Sequence, residues 1–185
     1  MSDNHHPREG SLILSSARYH LFLDLDGVLA DFEGGIKRVT GKYPDQLSPS
    51  AMWRSAYRAP DFFARLEWMS DGRELWEATR HLNPTVLTGL PQSGDWAARQ
   101  KRAWCARELG EDVDVITCRA AEKSSEALQY IKVSSELADD AIPVIIDDRT
   151  RHRELWEQRG GVYIVHRSTE RSLEQLRETL EGHRS

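Results

Sequence analysis

The stretch YHLFLDLDGVLADF, residues 19–32, decides the reading of this 185-residue chain. Tyr19, Leu21, Leu23 and Leu25 form a short apolar run that closes on Asp24, Asp26 and Gly27. Four more runs share its character, at residues 84–88, 113–117, 143–146 and 162–165, the last following Gly160 and Gly161. All are short and rich in Val, Ile or Leu without strict alternation, the pattern of strands covered on both faces. Helical patterns lie between them at residues 72–81, 95–109, 150–158 and 168–180, with Gly110 as a stop and Ser168 or Thr169 as an N-cap. Strands alternating with such helices predict βαβ units and a three-layer α/β/α, Rossmann-like core on a parallel sheet. The rhythm breaks between residues 32 and 70, which hold turn residues and the aromatics Tyr43, Trp53, Tyr57, Phe62, Phe63 and Trp68. That interval reads as a small helical cap inserted after the first strand. The core then comprises residues 17–31 and 71–185, and residues 1–16 are a polar, flexible arm.

Composition sets the outer bounds. The chain is 39% hydrophobic and 30% charged, inside the globular range. Its 25 Lys and Arg against 30 Asp and Glu give a net charge of −5, with the two signs interleaved. There is thus no electrostatic footprint for duplex nucleic acid. No apolar run approaches the roughly 18 residues that cross a bilayer. The start, MSDNHHPREG, lacks the apolar centre of a signal peptide, so a cytoplasmic protein is expected. Cys105 and Cys118 are too few for a disulfide framework or a zinc site. The oligomeric state is open, a homodimer included.

In an open α/β sheet ligands bind beyond the carboxyl ends of the strands. Those ends read Asp24-Leu25-Asp26-Gly27, Thr88-Gly89, Thr117-Cys118-Arg119 and Asp147-Asp148-Arg149. Four carboxylates, a hydroxyl and two guanidinium groups therefore converge on one rim. Carboxylates so placed repel one another unless a cation sits among them, and an oxygen-rich cluster suits Mg²⁺. Asp24 and Asp26 are two apart on an extended segment and so point to one side. One can then attack a substrate while the other protonates its leaving group.

These residues carry a resemblance. DLDGVLADF resembles the first signature of the haloacid dehalogenase superfamily, and the later signatures follow in order: Thr88 in VLTGLP, Lys123 in CRAAEK, Asp147 and Asp148 in VIIDDR. The resemblance runs from Tyr19 to His166. It implies that Asp24 is the nucleophile of an aspartyl-phosphate and that Asp26 is the general acid and base, lending Mg²⁺ a backbone carbonyl as well. Thr88 would bind the transferring phosphoryl group, Lys123 would hold that group and Asp24, and Asp147 and Asp148 would complete the magnesium site, with Asp148 the direct ligand. An acid at Asp26 favours a phosphatase over the superfamily's dehalogenases and ion pumps. DGVLADFEGG, the cap and IDDR are most similar to the 5'(3')-deoxyribonucleotidases, which implies a nucleoside or deoxynucleoside monophosphate as substrate. Phe32, Gly89 and Arg149 join the expected substrate contacts. A sugar phosphate or a nucleic-acid phosphate end is the alternative substrate, and a binding module without turnover is the alternative class.

Several residues have plainer readings. Lys101 and Arg102 read as a solvated helix face, which leaves Lys123 as the phosphate lysine. Asp31 opens a helical pattern as an N-cap, and the cap aromatics read first as that segment's own apolar core. His20, His152 and His166 read as ordinary core or surface groups. Cys118 has no histidine partner to activate it. The run 124–141 predicts an additional helix.

Overall fold

In the computed structural model, residues 18–92 and 94–181 are described, so the arm at 1–16 lies outside them. Five strands form one sheet: β1 (Tyr19–Leu23), β2 (Thr85–Gly89), β3 (Val115–Cys118), β4 (Ile142–Asp147) and β5 (Val162–Val165). Their order is β3-β2-β1-β4-β5, and every pairing is parallel. Parallel neighbours need a crossover connection, and helices supply it. Between β1 and β2 lie α1 (Phe32–Thr40), α2 (Pro49–Arg58) and α3 (Gly72–Thr79). Then α4 (Asp95–Glu108) leads to β3, α5 (Lys123–Val133) to β4 and α6 (Arg153–Gln158) to β5, and α7 (Thr169–Glu181) follows. The expected α/β/α core on a parallel sheet is the observed fold.

Strand alternation sorts the core into two layers. Leu21, Leu23, Val86, Val144, Ile146 and Ile164 pack on one face with Leu75 of α3, Ala97 and Trp104 of α4 and Leu176 of α7. Phe22, Leu87, Ile145 and Tyr163 face the other way, against Ala127 and Ile131 of α5 and Trp156 of α6. The additional helix expected within 124–141 is α5. Element ends differ from the sequence reading by one to three residues, because backbone pairing rather than side-chain hydropathy closes them. β4, for instance, extends to Asp147, and α6 starts only at Arg153 after the loop that carries Asp148.

The segment 32–70 holds α1, α2 and two single 3₁₀ turns, Pro44–Gln46 and Phe63–Arg65. Asp31 caps α1, its Oδ1 accepting from Gly34 N at 2.9 Å, and Gly41 ends that helix at φ 73°. Ser48 caps α2 in front of Pro49. Phe32, Phe62 and Phe63 are buried in the same cluster as the α4 side of the sheet. Their ring centroids lie 5.1 to 6.1 Å apart, so these aromatics are first of all packing.

Candidate active site

The register of the sheet builds the acidic end. Leu23 lies opposite Ile146, and Asp24 N donates to Ile146 O at 2.9 Å. Asp24 and Asp147 therefore leave their strands side by side. The chain turns immediately afterwards at Gly27, with φ +80°, a conformation favourable only to glycine. A Cβ at Gly27 would stand 2.5 Å from Asp148 Oδ2, so the missing side chain is what admits the second acid of β4's end.

Lys123, the first residue of α5, sits between two of these carboxylates. Its Nζ is 2.9 Å from Asp24 Oδ1 and 2.7 Å from Asp147 Oδ2. Leu25 N donates to the same Asp24 Oδ1 at 2.8 Å, and Arg149 N donates to Asp147 Oδ1 at 2.9 Å. Both oxygens of Asp147 are thus engaged, and Asp24 keeps Oδ2. Asp148 Oδ1 is buried and has no hydrogen-bond partner among the described residues.

Three carboxylates face one ammonium, and the proton affinities follow. Burial, then Asp24 and Asp147, pushes Asp148 up to about 6. Burial and Asp24 also raise Asp147. Burial works against the charge of Lys123, but Asp24 and Asp147 overcome it and hold the ammonium above the usual lysine range. Each of Asp24, Asp147 and Asp148 offers a carboxylate oxygen within 4.8 Å of the others. Hard oxygen donors, an excess of negative charge and an orphaned buried oxygen fit Mg²⁺. The Asp26 side chain is not part of this group.

Asp26 belongs to a second cluster. Its Oδ2 accepts from Lys101 Nζ at 2.7 Å, while its Oδ1 is buried without a partner among the described residues. Lys101 also donates to Thr88 Oγ1 at 2.9 Å and to Gly89 O at 2.8 Å. Burial raises the Asp26 carboxyl above its ordinary value, against the pull of Lys101. Sequence placed Lys101 on a solvated face, and the structure corrects this: Lys101 is 0% exposed, whereas Arg102 is exposed. The signal was present in the spacing. Lys101 stands four residues after Ala97 and three before Trp104, on the buried stripe of α4.

A cavity opens over both clusters, lined by Asp24, Asp26, Lys123 and Asp147 on the acidic side. Phe32 and Trp53 line it from the segment 32–70, with ring centroids 5.6 Å apart, and Gly89 lines it at the end of β2. Arg149, Arg151 and His152 supply cationic and polar lining beyond β4. Arg151 and His152 had no signal as site residues, because a loop's approach to a cavity is not written in periodicity. Thr88 is fully buried beneath this surface, and Arg119 does not line the cavity. His20 and His166 are buried away from it, bonded to Thr85 and Ser172. Burial pushes the Cys118 thiol up to about 12, against the nearby Lys123, so it is no nucleophile.

No protein-family model matches the sequence, and no curated protein matches it. Solved structures do resemble it. A protein from Thermotoga maritima, provisionally named beta-phosphoglucomutase, is 17% identical, with TM-score 0.52, covering 86% of this chain and 99% of that one. The L-2-haloacid dehalogenase of Xanthobacter autotrophicus is 12% identical, with TM-score 0.52, covering 91% of this chain and 84% of that one. Sheet order, crossovers and these likenesses agree: the chain has the Rossmann-like α/β/α fold of the haloacid dehalogenases.

Proposed function

We propose that this chain is a Mg²⁺-dependent phosphomonoesterase of the haloacid dehalogenase superfamily, acting through an aspartyl-phosphate on Asp24 and taking a nucleoside or deoxynucleoside monophosphate. The observation that carries the reading is the state of Asp24. Lys123 and Leu25 N hold its Oδ1, and Oδ2 receives no hydrogen bond among the described residues. That oxygen is the one able to attack.

Asp24 Oδ2 forms a bond to phosphorus as the ester P–O bond breaks, its electron pair leaving with the alcohol oxygen. Asp26 gives that oxygen a proton and becomes a carboxylate. Asp26 then takes a proton from a water whose oxygen bonds to phosphorus, and the P–O bond to Asp24 breaks to return the carboxylate and release phosphate. Lys123, already paired with Asp24, lies where it can also meet a phosphoryl oxygen. Asp24 and Asp148 would hold the metal with the Asp26 carbonyl, and Asp147, whose oxygens serve Lys123 and Arg149 N, would complete its surroundings. When bound, Mg²⁺ offsets the charge of the carboxylates and of the phosphoryl oxygens. In this reading the segment 32–70 is a cap over the site, and the Trp53 ring, inclined at 44° to the buried Phe32 ring, offers an apolar contact to a base.

A panel of phosphate monoesters assayed with Mg²⁺ tests the reading. The highest kcat/KM is expected for nucleoside monophosphates. Preference for a sugar phosphate or a nucleic-acid phosphate end would overturn the substrate assignment, and no turnover of any ester would overturn the reaction class.

A further inference from the structure

Resting on the phosphomonoesterase reading above, we propose that Lys101 is a positioning residue that holds the Asp26 carboxyl at the end of β2 and so fixes where it meets the leaving group. An ammonium has three N–H donors and no acceptor. Lys101 Nζ meets three acceptors: Asp26 Oδ2 at 2.7 Å, Thr88 Oγ1 at 2.9 Å and Gly89 O at 2.8 Å. With every donor engaged and the residue 0% exposed, Lys101 has nothing to offer a phosphate. Its action runs through its partners.

Each bond has a directional consequence. Oδ2 of Asp26 accepts from Lys101, which fixes the rotation of the carboxyl group at the cavity that Asp26 lines. As the ester P–O bond breaks and its electron pair goes to the leaving oxygen, that oxygen takes the proton from the Asp26 carboxyl so placed. Thr88 Oγ1 is likewise an acceptor toward Lys101, so its own O–H points away from Nζ. Gly89 O is turned toward Nζ as well, which fixes the end of β2. A lone ammonium is strongly disfavoured in such a dry place. The three acceptors offset that, together with the face of Phe63, whose ring centroid is 4.7 Å from Nζ. Lys101 thereby ties the end of β1 to the end of β2 from beneath, in the same way that Lys123 ties β1 to β4.

The test compares two esters on wild type and Lys101→Met, with Mg²⁺ present. The alkoxide of a nucleoside monophosphate needs a proton to leave, whereas the phenolate of p-nitrophenyl phosphate does not. kcat/KM reports the steps up to departure of the leaving group. For Lys101→Met it should fall about 100-fold on the alkyl ester and less than about threefold on the aryl ester, the scale of a misplaced general acid. In an Asp26→Asn background the same substitution should cost the alkyl ester nothing further, as for two residues acting as a unit. Should Lys101→Met not fold, Lys101→Gln is expected to give the same selective loss. Equal losses on both esters would overturn the role of Lys101 and leave the phosphatase standing. Wild type that hydrolyses neither ester would overturn both.

Discussion

Asp24 has one oxygen held by two donors and one without a hydrogen bond among the described residues, and this asymmetry is the residue-scale feature on which the proposed chemistry rests. Gly27 is a second case, with a left-handed backbone and Asp148 packed where a Cβ would be. Gly27→Ala is expected to cost at least about 1 kcal/mol from the backbone alone. It also displaces the Asp148 carboxylate, so thermal unfolding should come earlier and activity should fall together with Mg²⁺ affinity. Unchanged Mg²⁺ affinity would contradict the shared placement. His20 lies far from the site and answers to pH. Burial depresses it from its ordinary 6.5 to about 4, although Asp114 pulls the other way. Between those values the unfolded chain binds a proton that the folded one does not. The stability is therefore present in full above pH about 6.5 and lost as pH falls towards about 4, by up to about 3 kcal/mol. Denaturant titrations across that window should show this slope in wild type and a flatter one in His20→Gln. An equal slope in both would assign the effect elsewhere.

Elements are joined by caps that sequence only half reveals. The spacing predicts α7 with Ser168 or Thr169 at its start, and Ser168 Oγ does accept from Arg171 N at 3.3 Å. The partner on the other side was not legible. Asp71, 98 positions earlier, accepts from Thr169 N at 2.8 Å, and its backbone carbonyl accepts from Thr169 Oγ1 at 2.9 Å. Asp71→Ala should cost about 1 kcal/mol by loss of this cap, read as a lower melting temperature with kcat unchanged. A melting temperature equal to wild type would show the link to be idle. The α4 helix marks the same boundary of legibility. Of its buried stripe Ala97 and Trp104 were readable, and so was the helix length. A lysine on that stripe reads as surface because buried ammonium groups are rare. Only the three acceptors brought by β1 and β2 explain its position. By contrast, all five strands and the acids that follow β1 and end β4 were plain in sequence, since a strand buried on both faces of a parallel sheet must be apolar along its length.

At the scale of the whole molecule, the −5 net charge describes the solvated surface and not the pocket. There Asp24, Asp147 and Asp148 lie together while Lys123 pairs with only two of them, and this excess of negative charge calls for a cation before a phosphate can approach. Mg²⁺ binding only the folded state should raise the melting temperature of wild type, by about 2.7 kcal/mol of stability at a hundredfold its Kd. Asp148→Asn should lose most of that gain, and an equal gain in the variant would place the ion elsewhere. No helix among the described residues is long and apolar enough to cross a membrane. What remained illegible in sequence at this scale was the cavity itself, because Phe32 and Trp53, Lys123 and the 149–152 loop meet only after the sheet has ordered five strands. The claim on which the rest depends is a covalent phosphoryl group on Asp24. Enzyme quenched in acid during turnover and mapped by peptide mass spectrometry should carry phosphate on the peptide containing Asp24. The label should be absent from Asp24→Asn, a variant that still folds. Turnover with no label on wild type, or with the label on any other residue, would contradict the account.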